Sequence, residues 1–184
     1  MKRLHVTGIV LIPLLVTACS SEREVVRLCP QTAIIRELAR VSDYGSEPAS
    51  DENLVALAEM KGVEGECSYK SDGVDLSFEV SLLAGKGPRL GGNQFGFPYF
   101  ISIVNPEQKI VAKEMLTVNF NFREDKKPTE TIEPLHVFIP MSENSDGTNY
   151  QVLVGFQFTE KQLAAVRRAE EQKIKNALGK QPTR

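Results

Sequence analysis

Apolar residues recur at every second position along most of this chain, the period of a strand with one buried face. The clearest case is Val74, Leu76, Phe78, Val80 and Leu82, separated by Asp75, Ser77, Glu79 and Ser81. Ser71-Asp72-Gly73 precedes it and predicts a hairpin, with the Asp-Gly pair supplying positive φ. Residues 54–60 and 65–70 predict two further strands around a Lys61-Gly62 turn. Residues 32–41 fit a strand or a short helix. The alternation of Ala33, Ile35, Glu37, Ala39 and Val41 favours the strand. Between these elements, residues 42–53 (SDYGSEPASDEN) form a polar loop.

Further along, 99–104 and 110–122 flank Asn105-Pro106-Glu107-Gln108, where proline presets φ for a tight turn. Met115 falls out of step with Leu116, Val118, Phe120 and Phe122, which predicts a bulge. Residues 131–140 and 150–158 complete the set as a last pair, joined by 142–147. The fold class that follows is mainly β. It is an antiparallel, immunoglobulin-like β-sandwich of seven or eight strands with a C-terminal α-helix. The chain has no tryptophan, so a Cys–Trp–Cys core of a true immunoglobulin domain is excluded. The helical signal is confined to TEKQLAAVRRAEEQKIKNALG, where Thr159 and Gln162 make a capping box and Gly179 stands at C′. Leu163, Val166, Ile174 and Leu178 give it a thin apolar stripe, interrupted at Glu170, and Glu171 can pair with Lys175.

The start of the chain has a different character. Lys2 and Arg3 precede an apolar stretch over residues 4–15, and the small residues Thr17 and Ala18 precede Cys19. This is the three-part layout of a secretory signal peptide, and it is shorter than the ~20 apolar residues of a membrane span. Val16-Thr17-Ala18-Cys19 resembles the lipobox of bacterial lipoproteins. The resemblance implies diacylglycerol on the Cys19 thiol, cleavage before it, and acylation of the new amino terminus. Ser20 and Ser21 follow with no aspartate, which within that family implies the outer membrane over the inner. Residues 1–18 are then a cleaved signal, 19–28 a lipidated tether, 29–158 the β domain, and 159–184 a basic helix and tail.

On that reading Cys29 and Cys67 remain in an oxidising compartment, where a structural disulfide is expected and two free thiols are the alternative. A ten-residue tether reaches at most ~35 Å, so the domain sits near the bilayer. Removing residues 1–18, with Lys2 and Arg3 and no acid, leaves 166 residues and takes the net charge from −2 to −4. That balance offers no basic footprint for nucleic acid.

Candidate chemistry is sparse. With His5 gone, His136 is the sole imidazole. In LHVFIP it reads as a partly buried structural histidine, not a general base, because no nucleophile is patterned nearby. No catalytic residue, cofactor or metal site is assigned. One histidine cannot build a catalytic zinc centre, and Asp72-Gly73 and Asp146-Gly147 read as turns, not calcium loops.

Two segments are candidate recognition surfaces. Residues 84–98 (AGKGPRLGGNQFGFP) fit no phosphate-loop spacing, but Lys86, Arg89 and Asn93 offer polar contacts, and Phe95, Phe97 and Tyr99 offer stacking surface. The alternative is a crossover between sheets. The helix is basic through Lys161, Arg167, Arg168, Lys173 and Lys175; it is a docking helix for an acidic partner or a solvated helix. Overall the layout is similar to small envelope lipoproteins of Gram-negative bacteria. The expected role is a non-enzymatic protein-interaction or envelope-assembly module, with the membrane and another envelope protein as partners. The alternatives are a carrier or sensor of a small or lipidic ligand held between the sheets, and an envelope enzyme whose site only folding assembles.

Overall fold

The alternating pattern builds eight strands and one long helix in a computed structural model that describes residues 27–125, 127–142 and 145–178. Residues 1–18, Cys19 and Gly179 lie outside the described residues, as does the side chain of Lys173. The strands are β1 (Gln31–Ile34), β2 (Arg40–Asp43), β3 (Ala56–Lys70), β4 (Gly73–Lys86), β5 (Gln94–Val104), β6 (Ile110–Asn121), β7 (Thr129–Pro140) and β8 (Gln151–Phe156); helix α1 is Glu160–Leu178. They form two four-stranded sheets, ordered β1-β8-β5-β6 and β2-β3-β4-β7. The fold is thus mainly β, a sandwich with a C-terminal helix. It is not wholly antiparallel, because β1 runs parallel to β8.

The inner faces are those the alternation marked. Val74, Leu76, Phe78, Val80, Leu82 and Ala84 of β4 are buried, facing Phe97 and Tyr99 of β5, Val118 and Phe120 of β6, and Val152, Val154 and Phe156 of β8. Phe97 stands edge-on to Phe95, Phe120 and Phe156, with centroids 4.8, 6.0 and 5.9 Å away. Phenylalanine rings in this arrangement fill the layer and add about 0.5–1.5 kcal/mol per pair beyond area burial.

Several expectations need correction. Residues 32–41 are not one strand. The chain breaks at Ile35 into a single 3₁₀ turn, Arg36–Leu38, that carries it from the first sheet to the second. Each half finds its own ladder: the Ile35 N–H donates to the Val154 carbonyl at 2.9 Å, and the Ala39 carbonyl accepts the Met60 N–H at 2.8 Å. Leu38 then folds over Gly155, where a Cβ would lie 2.9 Å from its own.

The Lys61-Gly62 turn is a bulge inside one 15-residue strand, with register slipping between Met60 and Gly62. Met115 lies in regular register opposite Phe100, exposed on the outer face; the bulge in this hairpin is at Val111, between the Ile103–Ala112 and Val104–Ile110 pairs. The β3–β4 hairpin forms, but Asp72 and Gly73 do not take positive φ; among the described residues Gly45 and Gln108 do. Gly73 is required by a close approach instead, since a Cβ there would lie 2.4 Å from the Ile139 carbonyl oxygen. Residues 131–140 and 150–158 do not pair with each other, because β7 joins β4 and β8 lies between β1 and β5.

The capping box forms as expected. The Gln162 N–H donates to Thr159 Oγ1 at 3.3 Å, and the Thr159 N–H donates to Gln162 Oε1 at 2.8 Å.

Candidate functional site

The end of the sandwich at which Cys29 enters is tied in several ways. Cys29 and Cys67 form a disulfide with Cα atoms 5.7 Å apart, fastening the chain ahead of β1 to β3. Two residues along β3, the Tyr69 hydroxyl donates to the Leu28 carbonyl at 2.7 Å and accepts the Gly147 N–H at 2.8 Å. The Arg27 guanidinium lies 4.9 Å from the Tyr69 ring centroid. The neighbouring Asp146 accepts the Thr148 hydroxyl and N–H, which hold its carboxyl below the usual carboxylate range. Gln31 pairs with Gln151 and Gln151 with Val104, so the chain enters at the end that carries the β5–β6 turn.

At the opposite end lies the glycine-rich crossover. Strand ordering shortens the predicted fifteen-residue loop to seven residues, Gly87 to Asn93, passing from β4 in one sheet to β5 in the other. Lys86 Nζ donates to Asn93 Oδ1 at 2.7 Å across its ends, and Arg89 is exposed. The aromatic half of the predicted recognition loop is corrected. Phe97 and Tyr99 are 1% and 3% exposed, and Phe95 is half-buried against Phe97, all on β5.

The glycines divide sharply. A Cβ at Gly87 would lie 2.1 Å from the Leu54 carbonyl oxygen, while Gly91 and Gly92 have nothing within 4 Å. Gly87→Ala is therefore expected to cost about 1–3 kcal/mol, as an overpacked site does. Gly91→Ala and Gly92→Ala are expected to stay within about 1 kcal/mol of the parent. Urea unfolding midpoints of the three variants check this.

Helix α1 also starts far from Cys29. Eight residues of extended chain, about 27 Å, separate Gln151 from Thr159. Leu163 and Val166 pack on the core, and Gln162 Nε2 donates to the Ser42 carbonyl at 3.1 Å, covering the edge of β2. Between them is a cavity of about 310 Å³, lined among others by Tyr44, Phe158 and Val166. Lys161, Arg167, Arg168, Ile174 and Lys175 are exposed, and Glu171 and Lys175 form no ion pair with each other among the described residues.

His136 stands on the outer face of the second sheet. Its Nε2 lies 3.2 Å from Asp75 Oδ1, and the other Asp75 oxygen pairs with Lys70. The side chain is largely exposed, which corrects the partly buried histidine read from LHVFIP. Register also sets Ser77 directly opposite His136, a neighbour that sequence spacing did not reveal. No hydrogen bond joins Ser77 to His136 among the described residues. Backbone N–H groups beside Ser77 are engaged in the β3–β4–β7 ladder, so no donor is aimed at an oxyanion. Chemically, this group sets a Lys70–Asp75 ion pair within the hairpin against the imidazole of the edge strand. Glu64, Glu66 and Glu79 line the same open trough of about 670 Å³ and make this face acidic.

At the mouth between the sheets, the Tyr99 hydroxyl lies 3.5 Å from Glu133 Oε2. Burial pushes its pKa up to about 12, with Glu133 and Glu114 adding to the shift. Since the folded pKa exceeds the unfolded one, this group favours the fold fully below pH ~10, and the contribution is lost as pH rises to about 12. Tyr99→Phe should accordingly flatten the fall in stability between pH 10 and pH 12, read from denaturant midpoints.

Among the described residues no group of His, Cys, Asp or Glu is arranged to hold a metal ion, and no helix is long and apolar enough to cross a membrane. Comparison with protein-family models, curated proteins and solved structures finds no match.

Proposed function

We propose that the chain is a lipid-anchored envelope protein whose β-sandwich, held in the periplasm and on the outer membrane, serves as a non-enzymatic protein-interaction or assembly module. The observation that carries this reading is the polarity of the domain. The disulfide-tied chain start lies at one end, ten residues after Cys19, and the basic helix begins at the other, where Gln162 meets Ser42. An anchored domain built this way holds its exposed cations away from the bilayer, where an acidic partner can meet them. The disulfide suits an oxidising compartment. The alternative, a ligand carried between the sheets, is disfavoured because Phe78, Phe97, Phe120 and Phe156 occupy that space.

Fractionation of Gram-negative cells tests the anchor. The mature amino-terminal peptide is expected to carry acyl chains on Cys19, and Cys19→Ser should release the protein from the membrane fraction. An unmodified Cys19, or residues 1–18 retained on the mature chain, would overturn the reading.

A further inference from the structure

A sandwich of two open sheets has four edges, and in this protein they are not equally guarded. Strands β1 and β2 are four residues each, too short to template another strand, and β2 is covered by Gln162. The other two edges, β6 and β7, are twelve residues each.

On β7 the Met141 N–H bonds the Asp72 carbonyl, which sets the phase of the ladder. Alternate pairs are then hydrogen-bonded, so the even-numbered positions 130–140 direct their backbone groups away from β4. Pro134 and Pro140 fall on those positions and remove two of the outward donors. Proline on the solvent side of an edge strand is a known guard against further pairing.

On β6 the Phe122 N–H bonds the Asn93 carbonyl, so the even-numbered residues from 112 face β5. Lys113, Met115, Thr117 and Asn119 then direct their N–H and C=O groups to the edge that pairs with no strand among the described residues, with no proline among them. The pairing of Thr117 with Pro98, which has no N–H to give, agrees with this phase. Beside the open row stand Ile110, Val111 and Met115, exposed by 64%, 56% and 50%. The bulge at Val111 brings Ile110 and Val111 outward together, where a regular strand alternates them. Lysine is the usual edge guard, but Lys113 is folded back over its own sheet. Its Nζ lies 4.2 Å from the Phe100 ring centroid and donates to Gln157 Oε1 at 3.2 Å.

We infer that the free edge of β6 is a strand-addition site, taking an extended segment of a partner protein as a fifth strand of the first sheet. The recognised chemistry is a proline-free backbone in the β conformation, with alternate apolar side chains lying against Met115 and the Ile110–Val111 pair. A second copy is the weaker occupant. Two β6 strands paired about a two-fold axis run antiparallel, so their tether ends would lie about 40 Å apart at opposite ends of the joint sheet. Both tethers lead to one membrane in the proposed function, on which this inference rests.

The test uses the full chain in its own cells, with a photo-crosslinking amino acid at Met115 and, in a separate strain, at Arg168. The expected result at position 115 is an adduct whose crosslinked peptide from the partner lacks proline and alternates apolar with polar residues. Thr117→Pro removes an outward N–H without touching the β5 ladder and should cut the adduct at least tenfold. Ile132→Pro, the same change on β7, should leave it unchanged. Melting curves check that each variant folds, and Asn119→Pro replaces Thr117→Pro should that variant not fold. An adduct insensitive to Thr117→Pro, one between two copies of this chain, or none at 115 with one at 168 overturns the strand-addition site and leaves the interaction module standing. No adduct at either position overturns the module itself.

Discussion

Phe97→Ala is expected to lower the stability of the domain by about 3–5 kcal/mol, the cost of emptying a buried aromatic site. For a domain of this size that corresponds to a Tm lower by about 6–20 °C. The side chain is 1% exposed and touches three other rings, Phe95, Phe120 and Phe156, from strands β5, β6 and β8. Those rings cannot close over the space without moving their strands, so collapse of the cavity is resisted. Thermal unfolding by circular dichroism checks the result. A Tm within 2 °C of the parent would mean that Phe97 is a surface residue and that the glycine-rich segment is the recognition loop its composition suggests.

Removing the disulfide by the double change Cys29→Ala and Cys67→Ala should cost a similar amount. The bridge closes a loop of 38 positions, and the chain-entropy estimate for that length is about 4 kcal/mol. Its placement adds a local effect. Cys29 ties the chain to β3, and β1 follows two residues later as a four-residue strand whose one paired neighbour among the described residues is β8. Without the bridge, β1 depends on four parallel pairs and the Tyr69 hydrogen bond to Leu28. Hydrogen exchange is therefore expected to show β1 amides opening before those of β4 and β5, with a single global Tm lower by about 8–16 °C. Equal protection of β1 in the parent and the double variant would show that the bridge adds nothing to that edge.

These two variants also separate what alternation reveals from what it hides. Phe95, Phe97 and Tyr99 alternate as clearly as Val74 to Leu82, yet the surrounding glycines made them look like a loop. Gly85 and Gly96 lie within strands, and Gly87 is needed because a Cβ there would lie 2.1 Å from the Leu54 carbonyl oxygen. Such close approaches are long-range facts. The same holds for the Asp75–His136 pair with Ser77 beside it, whose members meet only because β4 pairs with β7.

By itself, the sequence determined which residues of β4 face inward, where the β3–β4 and β5–β6 chain reversals fall, and how α1 is capped at its start. Each is a local matter: period two assigns a face, proline at 106 sets a dihedral, and Thr159 reaches Gln162 across one turn. Only the tertiary structure decided which strands share a sheet, that 32–41 switches between sheets, and that Lys61 is a bulge and not a turn. Alternation says that a strand has a buried side but is silent about its neighbour, since any strand of matching pattern offers the same backbone bonds. The guarded β7 edge and the open β6 edge follow from that same choice of neighbours. Pro134 carries meaning, and the absence of proline between Ile110 and Asn121 carries meaning, only once both strands are known to be edges.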